Sequence, residues 1–417
     1  VPAYMVHQIF GEQLSQLAGR YATEQNGFSD VRWGNSLIGC IQPRLRNMRD
    51  AHRLLSSMAV HLPLHAAGDL FEVNLVDFLI LETLRVFEAD LYEALFQEKS
   101  LLLQESRYRG DGRMAAVQEA ANKLLEIVPE ERRKLAQDTI KALFPPLEWA
   151  LGGTHYGDGF RQDWLAGKQV CTARFFPRYF ELQTAAGEMS ERRFIEFLEA
   201  ASTEENLATS IAEIEADGLL RSLVARLDES VGRLPVENAA VLLPGMFMIA
   251  QKFVRLDGDP FSSPWVSAWR ATSWYLKAIP EEERGGMATE ALRATKALSV
   301  AGILIHLNDP ADHKDVADFI PALDLDTVEA MKAIWLQLIR SRAANTHALL
   351  TEPDLVSLLY RWKDFAGSII EPRQWMSEAI STDEGFANMA KSMMSTGRSH
   401  TAGDRVSKVH NMFTRDA

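Results

Sequence analysis

Residues 73–96 read VNLVDFLILETLRVFEADLYEALF, and the period of this stretch decides the fold. Val76, Ile80, Leu84, Phe87, Leu91 and Leu95 recur at helical intervals and form one broad apolar face. Glu82, Arg85, Glu88 and Glu93 fall off that face. Asn74 fits the cap of this helix, and Asp77 lies in its first turn, where an anion is favoured. Arg85 is expected to pair with Glu82 or Glu88 along the helix. Working outward, GRMAAVQEAANKLLEIV (112–128) and PEERRKLAQDTIKALF (129–144) read as two more helices joined at Pro129. Strand-like alternation is scarce along the whole chain, so the expected class is all-α.

Pro and Gly punctuation divides the rest. Residues 1–144 are expected to form a small helical bundle. PPLEWALGGTHYGDGFRQDWLAGK (145–168) has no clear period and opens an aromatic-rich connection expected over 145–202. A helix begins near MSERRFIEFLEAA, with Ser190 as its cap. Residues 203–394 then read as a larger helical domain, with breaks at helical-hairpin distances. A solenoid-like arrangement is one form open to it, with no repeat of fixed period in the sequence. From 395 the apolar pattern is lost, and a loose tail is expected.

The composition excludes several classes. Among 417 residues, 47% are hydrophobic and 24% charged, which is ordinary globular material. A net charge of -13 argues against a whole-surface nucleic-acid binder. Two cysteines, Cys40 and Cys171, are too few for a disulfide framework and fit a reducing compartment. The most apolar stretch, AAVLLPGMFMIAQKFV (239–254), is too short to span a bilayer. No secretory signal opens the chain, so a cytoplasmic location without membrane insertion is expected. The opening VPAYMVHQIF also lacks an initiator Met, which fits a piece of a longer protein.

Several clusters read as structure more readily than as sites. His306, Asp309, Asp312 and His313 carry metal-ligating groups, but Pro310 keeps them off a shared helical face. No metal is expected, and a turn at 308–310 followed by a helix capped by Asp312 is. Phe175, Phe176, Tyr179 and Phe180, interleaved with Arg174 and Arg178, are expected to pack between domains rather than stack on bases. Trp265, Trp269, Trp274 and Tyr275 recur near helical intervals, as core residues do. Phosphate-binding glycine motifs, G-x-S-x-G, H-E-x-x-H and C-x-x-C pairs are all absent from the sequence.

RLRNMRDAHRLLSSM (44–58) stands apart. Arg44, Arg46, Arg49 and Arg53 crowd the start of a helix, where the macrodipole disfavours cations. One explanation is pairing with Asp50 and other acids. The other is an anion, since guanidinium forks match phosphate.

Three stretches together resemble the helical region that follows the catalytic core in the KAP family of P-loop NTPases. Arg49, Asp50, Arg53 and Leu55 match its T-P-R-D-x-K-R-x-L-N helix. Val73, Asn74, Asp77, Phe78, Leu81, Glu82, Leu84, Arg85, Phe87 and Tyr92 match a V-[DN]-x-x-D-F-x-x-L-E-x-L-R-x-F-x-P-x-x-Y segment. Phe175, Phe176, Arg178, Tyr179 and Phe180 match its aromatic Y-F-x-R-Y-F type segment. The likeness covers roughly residues 1–200. Asn47-Met48 stand where the family has Thr-Pro, Ala89 replaces a common Pro, and the Walker A and B segments are missing. The resemblance implies the C-terminal lid and interaction portion of a KAP-type ATPase. It implies ATP and Mg in the intact protein and none for this chain alone. Arg49, then Arg53, with Arg46 as backup, are the implied sensors of the nucleotide phosphates. The implied partners are a separate P-loop core, other bacterial antiviral-defence or regulatory proteins, and further copies of the chain; nucleic acid is not expected. The rival expectation is a stand-alone helical protein-interaction scaffold with no nucleotide role.

Overall fold

The computed structural model describes residues 2–104, 111–157, 159–254, 263–313, 320–392, 394–399 and 406–411. The chain is all-α, and strand occurs among the described residues only in two short hairpins. It divides into two compact units, Val1–Glu196 and Phe197–Ala417.

The first unit runs through α1 (Ala3–Ala18), α2 (Asp30–Ser36), α3 (Met48–His61), α4 (Leu75–Phe87), α5 (Ala89–Gln97), α6 (Lys99–Leu103), α7 (Asp111–Glu126), α8 (Glu130–Leu143), α9 (Phe160–Ala166) and α10 (Phe176–Glu181). A small hairpin, β1 (Ala66–Ala67) with β2 (Leu70–Phe71), precedes α4. α4 is the centre. Every residue from Leu75 to Leu84 is buried, because α2, α3 and α8 all pack on it. This corrects the expected polar face: Glu82 is 1% exposed. Its carboxylate accepts from Ser57 Oγ at 2.7 Å, and one of its oxygens lies 2.8 Å from His61 Nδ1. Arg85 pairs with it at 3.2 Å, one of the two expected partners. The expected single helix over 73–96 is in fact two, broken at Glu88 (φ -144, ψ 57).

Asn74 caps α4, accepting from the Val76 and Asp77 N–H groups. Its Nδ2 donates to the carbonyls of Gly27 and Gly167, both at 2.8 Å, and its own N–H donates to the Tyr179 hydroxyl at 2.7 Å. Gly27 sits at φ +71, and a Cβ there would lie 2.9 Å from the Gly167 oxygen, so glycine is required. Asp77 is fully buried, ion-paired with Arg32, and accepts from the Val170 N–H at 2.9 Å. Burial pushes its carboxyl up, and Arg32 and the Val170 N–H oppose that rise. Arg32 also donates to Asn74 Oδ1 at 2.9 Å and to the Ala142 carbonyl at the end of α8.

The segment expected as a connection over 145–202 lies mostly within this unit. Residues 145–151 form a 3₁₀ helix, and Phe175, Phe176 and Tyr179 are buried in the unit's own core. Phe176 meets Phe144 of α8, and the half-buried Phe180 stacks on Phe96 of α5. Ser190 accepts from the Arg193 N–H and so caps α11 (Glu191–Ala200). Glu72 serves the same helix start, accepting from the Glu191 N–H at 2.7 Å while paired with Arg178.

The second unit continues with α12 (Glu204–Ala216), α13 (Leu220–Glu229), α14 (Ala239–Gln251), α15 (Pro264–Ala278), α16 (Glu281–Thr295), α17 (Leu298–Asn308), α18 (Leu325–Ala343), α19 (Thr346–Leu350), α20 (Leu355–Ala366), α21 (Ile370–Ala379) and α22 (Asp383–Ser392). α14 packs against α12, α13, α15, α16 and α17. Its apolar run belongs to the unit's core, and no described helix is long and apolar enough to cross a membrane. Tyr275 is buried as expected, whereas Trp274 is 55% exposed with Lys277 beside it. In place of the expected loose tail, β3 (Met394–Ser399) pairs antiparallel with β4 (Val406–Asn411). A strand pair has no helical period, so the loss of that period from 395 does not mean loss of pairing.

One buried group ties the first unit's stability to pH. His65 is 1% exposed among Phe71, Phe78 and Tyr179, and its Nε2 has no hydrogen-bond partner among the described residues. Burial, reinforced by Arg85 and Arg178, lowers its pKa from 6.5 to about 4. The unfolded chain therefore binds a proton in that window that the folded chain refuses, and stability falls as the pH drops from about 6.5 to about 4. We expect a His65→Leu variant to flatten this decline by up to about 3 kcal/mol, read as the wild-type minus variant difference in urea stability across the window.

Candidate functional site

The opening arginine stretch is built to leave cations unpaired. Before α3 the chain widens into a π turn at Leu37–Ile41 and tightens into a 3₁₀ turn at Gln42–Arg44. α3 then starts at a reciprocal cap. Asn47 Oδ1 accepts from the Asp50 N–H at 3.1 Å, while Asp50 Oδ2 accepts from the Arg46 N–H at 3.1 Å and from Asn47 Nδ2 at 3.0 Å. The one acid among these arginines is thus bound to the helix start and makes no ion pair with a guanidinium.

Arg44 is the exception among the four. It is buried and grips Glu88 with two hydrogen bonds of 3.2 and 2.8 Å. Its remaining Nη1 donates to Thr139 Oγ1 on α8 and to the Cys40 carbonyl of the π turn. That pair sits at the α4–α5 break and lines a cleft of about 510 Å³. Arg46, Asp50 and Arg53 line one side of the cleft, Val86 and Phe87 the end of α4, and Glu131, Arg132 and Leu135 the opposite wall.

Arg53 donates to the Val86 carbonyl at 3.2 Å and lies over the Phe87 ring at 5.6 Å. The carbonyl is one of the orphan acceptors at the end of α4. Arg46 is exposed and Arg132 half-buried, and neither side chain has an ion-pair partner among the described residues. Arg49, the foremost of the expected sensors, is exposed and lies outside the cleft. Arg53 and Arg46 are brought together, and Arg49 is not.

Arg132 was missed. The segment 129–144 reads as a helix, but nothing in the sequence links it to residues 44–58. A signal was there, since Arg132 and Arg133 repeat the anomaly of cations in a helix's first turns.

The other candidates do not assemble. His306 Nδ1 lies 2.7 Å from Asp312, whereas Asp309 caps the 3₁₀ turn Pro310–Asp312 and pairs with Lys332. Among the described residues, no three His, Cys, Asp or Glu side chains are placed to hold a metal. The helix expected after Asp312 lies outside the described residues. Cys171 and Cys40 are buried free thiols, and burial raises both above the usual range.

No family model, no curated protein and no solved structure matches the chain.

The Arg44–Glu88 pair is expected to behave as a buried salt bridge. Arg44→Met alone strands Glu88 and should cost about 3–5 kcal/mol, whereas Arg44→Met with Glu88→Leu should recover most of that loss in urea unfolding.

Proposed function

We propose that the first unit is the helical lid of a KAP-type P-loop ATPase. In this reading it closes over nucleotide held by a separate catalytic domain, and Arg53 and Arg46 meet the phosphates. The second unit presents its helices to partner proteins, in the setting of bacterial antiviral defence. ATP and Mg belong to the assembled ATPase. What most supports the reading is one observation: Arg46 and Arg53 line a single cleft, and the nearby Asp50 is occupied by the helix cap. Guanidinium groups left this way gain most from an anion brought to them from outside. Arg53 is the stronger sensor, because the Val86 carbonyl and the Phe87 ring fix its direction.

The test compares ATP turnover in the protein joined to its P-loop domain. Arg53→Ala is expected to lower kcat by about 10²-fold or more, as loss of a preorganised donor does. Arg46→Ala should do so less, and Arg49→Ala should leave turnover near wild type. Unchanged turnover for both Arg53→Ala and Arg46→Ala would leave a helical interaction scaffold as the better reading.

A further inference from the structure

We propose that the cleft is itself a binding site for a small polyphosphate, complete within this chain, with Arg132 as its third cationic ligand. The proposal rests on the phosphate role given to Arg46 and Arg53. It goes further in requiring no nucleotide domain to form the site.

Two independent segments bring the cations together. Arg46 and Arg53 come from the start of α3, and Arg132 comes from the first turn of α8. The α8 wall is not free to turn away. Arg132, Leu135 and Thr139 are spaced at three and seven residues and share one helical face. Thr139 on that face is held by the buried Arg44 at 3.1 Å, and Arg44 is held in turn by Glu88. The buried pair that lines the cleft therefore also fixes the face of α8 that carries Arg132.

Charge defines the ligand class. Arg44 and Glu88 cancel, and Asp50 is committed to backbone and side-chain donors of the cap. Three guanidinium groups remain around about 510 Å³, a size typical of small-molecule sites. Planar forks converging from two sides suit an anion with several tetrahedral groups, each able to accept a paired hydrogen bond. Two acids oppose this arrangement. Asp50 keeps its charge although its oxygen is bound to the cap, and Glu131 lines the cleft with no ion-pair partner among the described residues. An anion in the cleft is repelled by Glu131, so removing that charge should tighten binding.

The experiment is calorimetric titration of the chain with inorganic tripolyphosphate at low salt, with citrate as an anion lacking phosphate geometry. Tripolyphosphate is expected to bind, with Kd raised at least ~10-fold by Arg132→Ala and lowered several-fold by Glu131→Gln. Both positions are on the protein surface, and thermal melts will confirm that the variants fold. Absence of binding, equal binding of citrate, or an Arg132→Ala variant that binds like wild type overturns the proposal. Failure here is separable from failure of the lid reading. A chain that does not bind tripolyphosphate, but whose Arg53→Ala variant loses turnover when joined to the P-loop domain, keeps the lid and loses the self-contained site. Binding lost in Arg132→Ala, with turnover indifferent to Arg53, does the reverse.

Discussion

The first unit depends on how the start of α4 is held. Asn74 and Asp77 are two short polar side chains buried at the start of a largely apolar helix, and burying them costs heavily unless every group is matched. The matching comes from the chain segments at residue 27, residues 167–170, Arg32 on α2 and Tyr179 on α10. Each partner lies far away in sequence, so satisfying this one helix start brings the loops of the unit together. Arg32 extends the link to the C-terminal end of α8 through the Ala142 carbonyl. Removing any member strands a buried donor or acceptor, which is why such networks specify one arrangement rather than merely adding stability.

The same economy of partners shapes the cleft. Apart from Glu131, acids close to the arginines are already engaged: Asp50 by the cap of α3, Glu88 by Arg44, and Glu82 by Ser57, His61 and Arg85. A chain with 57 acidic and 44 basic residues has ample means to neutralise a local excess of arginine. Here the acids within reach other than Glu131 serve helix ends and buried pairs, and Arg46, Arg53 and Arg132 face a common space.

Much of the fold was legible, and the failures have specific causes. The helical period of residues 73–87 and the capping role of Asn74 were readable, because both are local. The burial of Glu82 was not, because periodicity describes one face of a helix while α3 supplies the cover for another. The break at Glu88 carries no Pro or Gly to announce it; it coincides with a tertiary contact to Arg44. For the aromatic group at 175–180, packing was predictable from composition, but its place inside the first unit was not. Arg132 joined the site only through the three-dimensional approach of α8, and Arg49 lies outside the lining although it shares a helical face with Arg53.

The break between α4 and α5 has a consequence for how the unit deforms. Ala89 keeps the amide hydrogen and the backbone freedom that a proline would remove, so no covalent constraint imposes the bend. Glu88 leaves helical geometry at the position where its carboxylate is tethered to Arg44, so the bend coincides with a side-chain pair. A hinge of this kind has stiffness set by electrostatics and hydration rather than by ring geometry. It resists small displacements while the pair is dry, and yields abruptly once water reaches it.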